Sequence, residues 1–361
     1  MVKRGNNFDL LRLGLAATVL VVHTYELTAW PELAWLSRWL SAPMAMQAFF
    51  VVSGYLITMS YERSPSLRDY ASRRVRRIYP AYAVVILVCA FGLVFASSLD
   101  WRQYFSIDWL KYVGANLVFL NFLHPTLPGV FVGHWGEPVN GALWTLKIEV
   151  MFYAFVPVMA WAMRRLNAAS VLVTLYVLSL AWIAAAAWMA QRTGSAGWLE
   201  VGRQLPGQLG YFVSGTALYV WRDAFARHRL WLAIAALAVM WLPLGLVGVL
   251  GPLAIAILAI GFATGPFAGY TASWGDVSYG LYIWHFPVLQ CLIDIGWFGL
   301  HRQWLLPAAA IVTTVLAFAS WRLVERPSLQ RRNHYRAADT HAVSPPSPGA
   351  ATAASLSRVP E

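Results

Sequence analysis

Of 361 residues, 59% are hydrophobic and only 12% charged, against roughly 25% charged in a soluble domain, so a water-soluble globule is excluded. The mean hydropathy of +0.55 and the recurrent apolar runs of helical length point to a polytopic membrane protein. A net charge of +11 would suit nucleic acid, but the basic residues fall in clusters between apolar runs and report membrane topology instead.

Only helices or closed barrels satisfy every backbone N–H and C=O in lipid, and continuous rather than alternating apolar runs select helices. Runs near 8–29, 40–61, 78–97, 143–162, 169–190, 204–221, 230–248, 250–267, 278–297 and 304–323 predict an all-α protein with about ten transmembrane helices. The stretch 109–123 is short and carries Lys111, so it reads as a re-entrant or interfacial segment. Both termini then lie in the cytoplasm. The inside holds Lys3, Arg4, six arginines in 62–77, Arg164, Arg165, Arg222, Arg227, Arg229 and six from Arg322 onward, 19 in all, against 6 outside. Lys3 and Arg4 precede a run too long for a signal peptide, so an uncleaved first helix is expected. Residues 1–332 form one membrane domain, and the Ala/Ser/Pro-rich stretch 333–361 reads as a disordered cytoplasmic tail.

The first span carries Arg12, His23 and Glu26, and ionisable groups within a span tend to mark pathways or active sites. Arg12 and His23 are eleven residues apart, about three turns, so they share a helix face roughly 16 Å apart in depth. In FFVVSGY, residues 49–55, Ser53-Gly54 is a small pair that admits a close backbone or a ligand. Cys89 and Cys291 fall in apolar spans and read as small core residues.

RDYASRRVRRIYPAY, residues 68–82, concentrates Arg73, Arg74, Arg76 and Arg77 before Pro80, which is expected in the first turn of the next helix. Topology and anionic lipid explain part of that charge, and guanidinium forks also suit phosphate. Loop residues His124 and His134 match no metal motif, and Trp101, Tyr104, Phe105 and Trp135 suit either sugar stacking or an interfacial belt. Lys147 and Glu149 open the span that follows NGALW, with Glu149 at a depth where it can meet His23. SYGLYIWHFP, residues 278–287, brings Tyr279, Tyr282 and His285, with Ser278 as a candidate cap; Glu325 in VERP is a partner for an arginine.

Taken in order, Arg12 with His23, FFxxSGY at 49–55, R-x-x-R-I-x-P at Arg74, Arg77 and Pro80, NxxLWTLxxE at 140–149, SYGxYxxH at 278–285 and ERP at 325–327 resemble the acyltransferase 3 family. The resemblance implies an enzyme of a bacterial cytoplasmic membrane that takes an acyl group, commonly acetyl, from cytoplasmic acyl-CoA and passes it to a hydroxyl of an extracytoplasmic carbohydrate or glycolipid. Acyl-CoA (acetyl-CoA) is then a donor substrate, with no permanently bound cofactor and no metal. Membrane lipid and polysaccharide-assembly proteins are the expected neighbours. The family's essential arginine and histidine carry over to Arg12 and His23, and its R-x-x-R to Arg74 and Arg77, with Arg73 and Arg76 leaving the register open.

These residues suggest a division of labour. Arginines hold the phosphate-rich head of the donor and its arm threads past Arg12. His23 acts as base, oriented by Glu149 or by Glu26, with Glu149 preferred. Ser53, Tyr279 and Tyr282 are candidate hydrogen-bond donors to the oxyanion of the tetrahedral intermediate, and His285 is grouped with them at the acyl-CoA site. A secondary transporter, and an acyltransferase acting on a lipid or protein hydroxyl, are the alternatives.

Overall fold

The computed structural model describes residues 6–134, 136–266 and 276–330, and among these the secondary structure is helical throughout. The expected tail, Lys3, Arg4 and Trp135 lie outside the described residues. The principal helices are α1 (Phe8–Thr28), α2 (Ala42–Glu62), α3 (Leu67–Gly92), α4 (Ile107–Leu117), α5 (Trp144–Arg165) and α6 (Ala168–Thr193). They continue with α7 (Leu205–Val220), α8 (Arg222–Val239), α9 (Leu244–Ala263), α10 (Ser278–Asp294) and α11 (Leu305–Ser320), which passes into a π-helical turn, Trp321–Glu325.

Among the described residues seven helical stretches are long and apolar enough to cross a bilayer: 8–28, 42–62, 67–96, 141–165, 168–193, 244–263 and 302–329. The chain is an integral, polytopic membrane protein. Three runs read as spans fall outside these seven. Helix α7 has 16 residues and α10 has 17, short of the roughly 20 that cross lipid unaided, and α8 carries Arg222, Asp223, Arg227 and Arg229. Helices α7 and α10 are buried along most of their length, so their apolar character serves packing against other helices.

Small residues set the closest crossing. A Cβ on Gly54 would sit 2.0 Å from the Phe212 carbonyl oxygen, and one on Gly215 2.0 Å from that of Val51, so α2 and α7 meet backbone to backbone. The Thr216 hydroxyl closes the same contact on the Gly54 carbonyl at 3.2 Å.

Helix α3 begins earlier than its apolar run. Ser66 accepts from the Asp69 N–H and donates to its carboxylate, capping a helix that carries the arginine cluster with it. Pro80 therefore lies inside α3, not in its first turn. Prolines elsewhere free carbonyls that side chains then fill. Pro157 deprives the Tyr153 carbonyl of its i+4 donor, and Tyr70 Oη donates to it at 3.0 Å. Pro287 does the same to Ile283, whose carbonyl accepts from Asn140 Nδ2 at 2.8 Å. Asn140, the first residue of its motif, thereby ties the loop before α5 to α10.

Helix α4 lies antiparallel beside the end of α3: Trp109 Nε1 donates to Ala90 O at 2.7 Å, and Tyr82 Oη to Asn116 O at 2.7 Å. The chain turns at Phe119, at φ +64°, whose ring stacks on Tyr82 at 4.2 Å. Asn116 Nδ2 then holds the returning strand of chain at the His124 carbonyl, 2.9 Å away.

Candidate active site

At one end of the bundle, α1, α3, the start of α10 and the π turn converge on an ion network. Arg12 bonds Asp9 one turn earlier at 2.9 Å and reaches Asp276 Oδ2 at 3.3 Å. Arg77 also donates to Asp276 Oδ2 and lies 3.7 Å from Glu325 Oε2. The π turn aims Glu325 inward, where only 2% of it is exposed and Ser320 Oγ donates to its other oxygen at 3.2 Å. Burial alone would raise the pKa of Asp276, but the Arg77 and Arg12 guanidiniums, with the Ser278 hydroxyl and N–H, hold it below the ordinary carboxylate range. Ser278 was expected to cap α10; the Asp276 carboxylate accepts from its N–H instead.

Arg12, Arg74 and Arg77 line a cavity that encloses about 840 Å³ of empty space, its open mouth included. Arg74 and Arg77 are three residues apart and share a face, whereas Arg73 and Arg76 are not among the lining residues. The Nε atoms of Arg12 and Arg74 are buried and lack a hydrogen-bond partner among the described residues. A buried donor left unmade costs roughly 1–3 kcal/mol, so each of these would gain from an acceptor. The guanidiniums also lie over rings, Arg74 over Tyr153 at 5.7 Å and Arg77 over Tyr279 at 5.8 Å.

The remaining predicted residues divide. Ser53 lines the cavity while Gly54 packs against α7, so the ligand and packing readings of that pair apply to different residues. Tyr279 lines it and donates to Ile78 O at 2.9 Å. Glu149 lines it and accepts from Tyr153 Oη at 2.7 Å. Tyr282 and Thr145 share a 2.6 Å hydroxyl contact on its wall.

Behind Tyr282 lies a second cluster. His23 Nδ1 is 2.8 Å from His285 Nε2, with the rings stacked at 5.0 Å, and His285 Nδ1 is 2.6 Å from the Tyr282 carbonyl. His23 thus turns into the bundle, with the edge of Phe286 against it at 5.5 Å. The carboxylate within reach of His23 is Glu26, whose Oε2 lies 3.6 Å from Nε2, not Glu149, which stays with Tyr153. His285, grouped at first with the donor site, lies against His23 and outside the cavity lining. His23 is likewise absent from that lining, so the cavity does not itself reach the imidazole; Tyr282 lines it, and the Tyr282 carbonyl bonds His285.

Among the described residues no cluster of His, Cys, Asp or Glu is arranged to hold a metal. His134 instead bonds Gln290 Oε1 at 2.9 Å and lies 3.4 Å from Asp294, fastening its loop to α10. The sequence reading missed Asp276, Thr145 and Tyr153. Asp276 stands two residues before the SYGxYxxH motif, and an acid at a helix start opposite so many arginines was the available signal.

A family model described as an acyltransferase domain matches residues 6–322. The chain belongs to the acyltransferase 3 family. Nodulation protein 10 of Rhizobium leguminosarum bv. viciae is 27% identical over 363 residues, covering 91% of this chain and 94% of its own. The O-acetyl transferase of Shigella phage Sf6 is 27% identical over 337 residues, covering 91% and 97%. O-acetyltransferase OatA of Staphylococcus aureus is 23% identical, matching 81% of this chain and 53% of its own length. No solved structure matches the chain. As a member of the acyltransferase 3 family this protein is an O-acyltransferase, which removes the transporter alternative.

Proposed function

We propose that this acyltransferase 3 enzyme moves an acetyl group from acetyl-CoA, held on the cytoplasmic side, to a carbohydrate hydroxyl on the opposite face of a bacterial cytoplasmic membrane. The observation that carries the reading is the pairing on one face of α1. Arg12 lines a cavity with two further arginines, and His23, about 16 Å higher by helix rise, turns inward beside Glu26. The names of the phage and staphylococcal relatives support acetyl as the group transferred.

In this reading the phosphates of the donor engage Arg12, Arg74 and Arg77, and the Tyr282 side chain gives way for the thioester arm to reach His23. The acceptor oxygen attacks the thioester carbonyl while its proton passes to His23 Nε2. The hydroxyls of Tyr282 and Thr145, 2.6 Å apart on the cavity wall, are the candidates we assign as donors to the developing oxyanion. Collapse breaks the C–S bond, and the thiolate takes the proton back from the imidazolium and leaves as the free thiol. Glu26, beside Nε2, favours that transient cation.

The reading includes ten crossing helices, with α7, α8 and α10 added to the seven long ones, and both termini in the cytoplasm. Basic residues then gather on the arginine side. It also makes 107–124 a re-entrant hairpin dipping from the outer face, with Phe119 at its tip. Tyr82, on which Phe119 stacks, is ten residues from the end of α3, about 15 Å below that face. Any polysaccharide-assembly partner would meet the outer loops.

The test supplies radiolabelled acetyl-CoA to membranes with and without this protein and locates the label by mass spectrometry. O-acetyl groups on a glycan, dependent on the protein, are expected. Label on a lipid or protein hydroxyl would replace the acceptor, and no transfer would end the reading.

A further inference from the structure

We infer that His285 is a positioning residue that holds His23 in the one tautomer able to accept a proton from the substrate. The inference rests on the reading of His23 as base. Its argument starts from the Tyr282 carbonyl, which can only accept a hydrogen bond. His285 Nδ1, 2.6 Å away, therefore carries the hydrogen of the neutral ring, and its Nε2 presents a lone pair. That lone pair lies 2.8 Å from His23 Nδ1, so His23 donates there and keeps its own lone pair on Nε2.

The opposing influence is Glu26. Its carboxylate, 3.6 Å from His23 Nε2, attracts an N–H and would by itself select the tautomer with hydrogen on Nε2, which is useless as a base at that atom. His285 outweighs it because its bond is shorter and its ring has no exposed surface, while half of the Glu26 side chain is open to solvent. Once the substrate proton arrives on Nε2, the two partners cease to compete. The imidazolium donates from Nδ1 to His285 and from Nε2 toward Glu26, and returns the Nε2 proton to the departing thiolate. The groups facing His23 are thus His285 on α10 and Glu26 on its own helix, each matched to a different stage of one proton cycle.

Backbone geometry protects the arrangement. The Tyr282 carbonyl is one turn before His285 on the same helix, so the bond that sets the His285 tautomer forms with the helix itself. Asn140 fixes the neighbouring Ile283 carbonyl from the loop, which keeps α10 in register beside α1.

Three variants in membrane vesicles given labelled acetyl-CoA test the assignment. His285→Phe keeps an aromatic ring against His23 but removes the acceptor; kcat is expected to fall about 100-fold while donor KM stays within about threefold. His285→Gln restores an acceptor oxygen at similar reach, and kcat is expected to recover to within about tenfold of the parent. If the Phe variant is not inserted, His285→Leu replaces it. A Phe or Leu variant at the parent rate overturns the inference, as does equal loss in Phe and Gln, which would make the position one of packing. His23→Ala is the separate control: parent-level transfer there would overturn the base reading itself, whatever position 285 does.

Discussion

The two ends of α1 solve opposite electrostatic problems. At the Arg12 end, cations and carboxylates are crowded: Asp9 and Asp276 face Arg12, and Asp276 and Glu325 face Arg77, beside an open cavity. At the His23 end one carboxylate among the described residues, half exposed, accompanies two imidazoles whose hydrogens are ordered by a backbone carbonyl. Permanent charge suits binding, because it is present whatever the reaction does. A group that must gain and lose a proton is better surrounded by neutral dipoles that fix its geometry. The difference teaches that one helix can separate grip from chemistry by depth alone.

Four outcomes break or sharpen that contrast. The largest is for His23→Ala, which should lower kcat by roughly 10²–10⁴-fold with donor affinity retained, read from transfer rates and donor titration. A parallel loss of donor binding would erase the distinction between the ends.

Next comes Arg77→Met, which takes from buried Glu325 the one cation it pairs with among the described residues and should destabilise the protein by about 3–5 kcal/mol, seen as lowered thermal stability in detergent. Adding Glu325→Leu should recover much of that loss; additive losses would mean that the pair does not couple.

Arg74→Ala is expected to be milder in stability, since that guanidinium makes no ion pair among the described residues. It should weaken donor binding by roughly 10- to 100-fold, the worth of one or two charge-assisted bonds, with kcat little changed at saturation. Arg76→Ala, off the cavity lining, is the matched control and should leave donor binding near the parent value.

The smallest effect concerns pH. Asp276 is held below the ordinary carboxylate range, so its contribution is complete above about pH 4 and is lost only as pH falls through the depressed value. The difference in melting temperature between the parent and Asp276→Asn should therefore stay constant from pH 5 to 8. A difference that grows or shrinks across that window would show that the network titrates there.

Much of this contrast was legible in the residues. Helical spacing put Arg12 and His23 on one face, and the R-x-x-R pattern contained the pair that lines the cavity. What escaped is tertiary. Nothing in spacing distinguishes Arg74 and Arg77 from Arg73 and Arg76, since both pairs are three apart, and only the rotation of α3 against α1 and α10 selects between them. Glu149 was favoured over Glu26 on depth, but depth does not fix azimuth: Glu149 faces Tyr153 across its own helix turn. His285 was visible as a motif residue, yet its contact joins positions 262 residues apart. The start of α3 was misplaced because hydropathy locates the apolar part of a helix, whereas Ser66 and Asp69 cap its charged beginning.

The account's central claim is that donor and acceptor are engaged from opposite faces. The most direct measurement uses proteoliposomes of known orientation, with acetyl-CoA sealed on the arginine side and the glycan acceptor supplied only on the other. Acetylation of that acceptor, abolished in His23→Ala, is the predicted result. Transfer that occurs only when donor and acceptor share one compartment would contradict it.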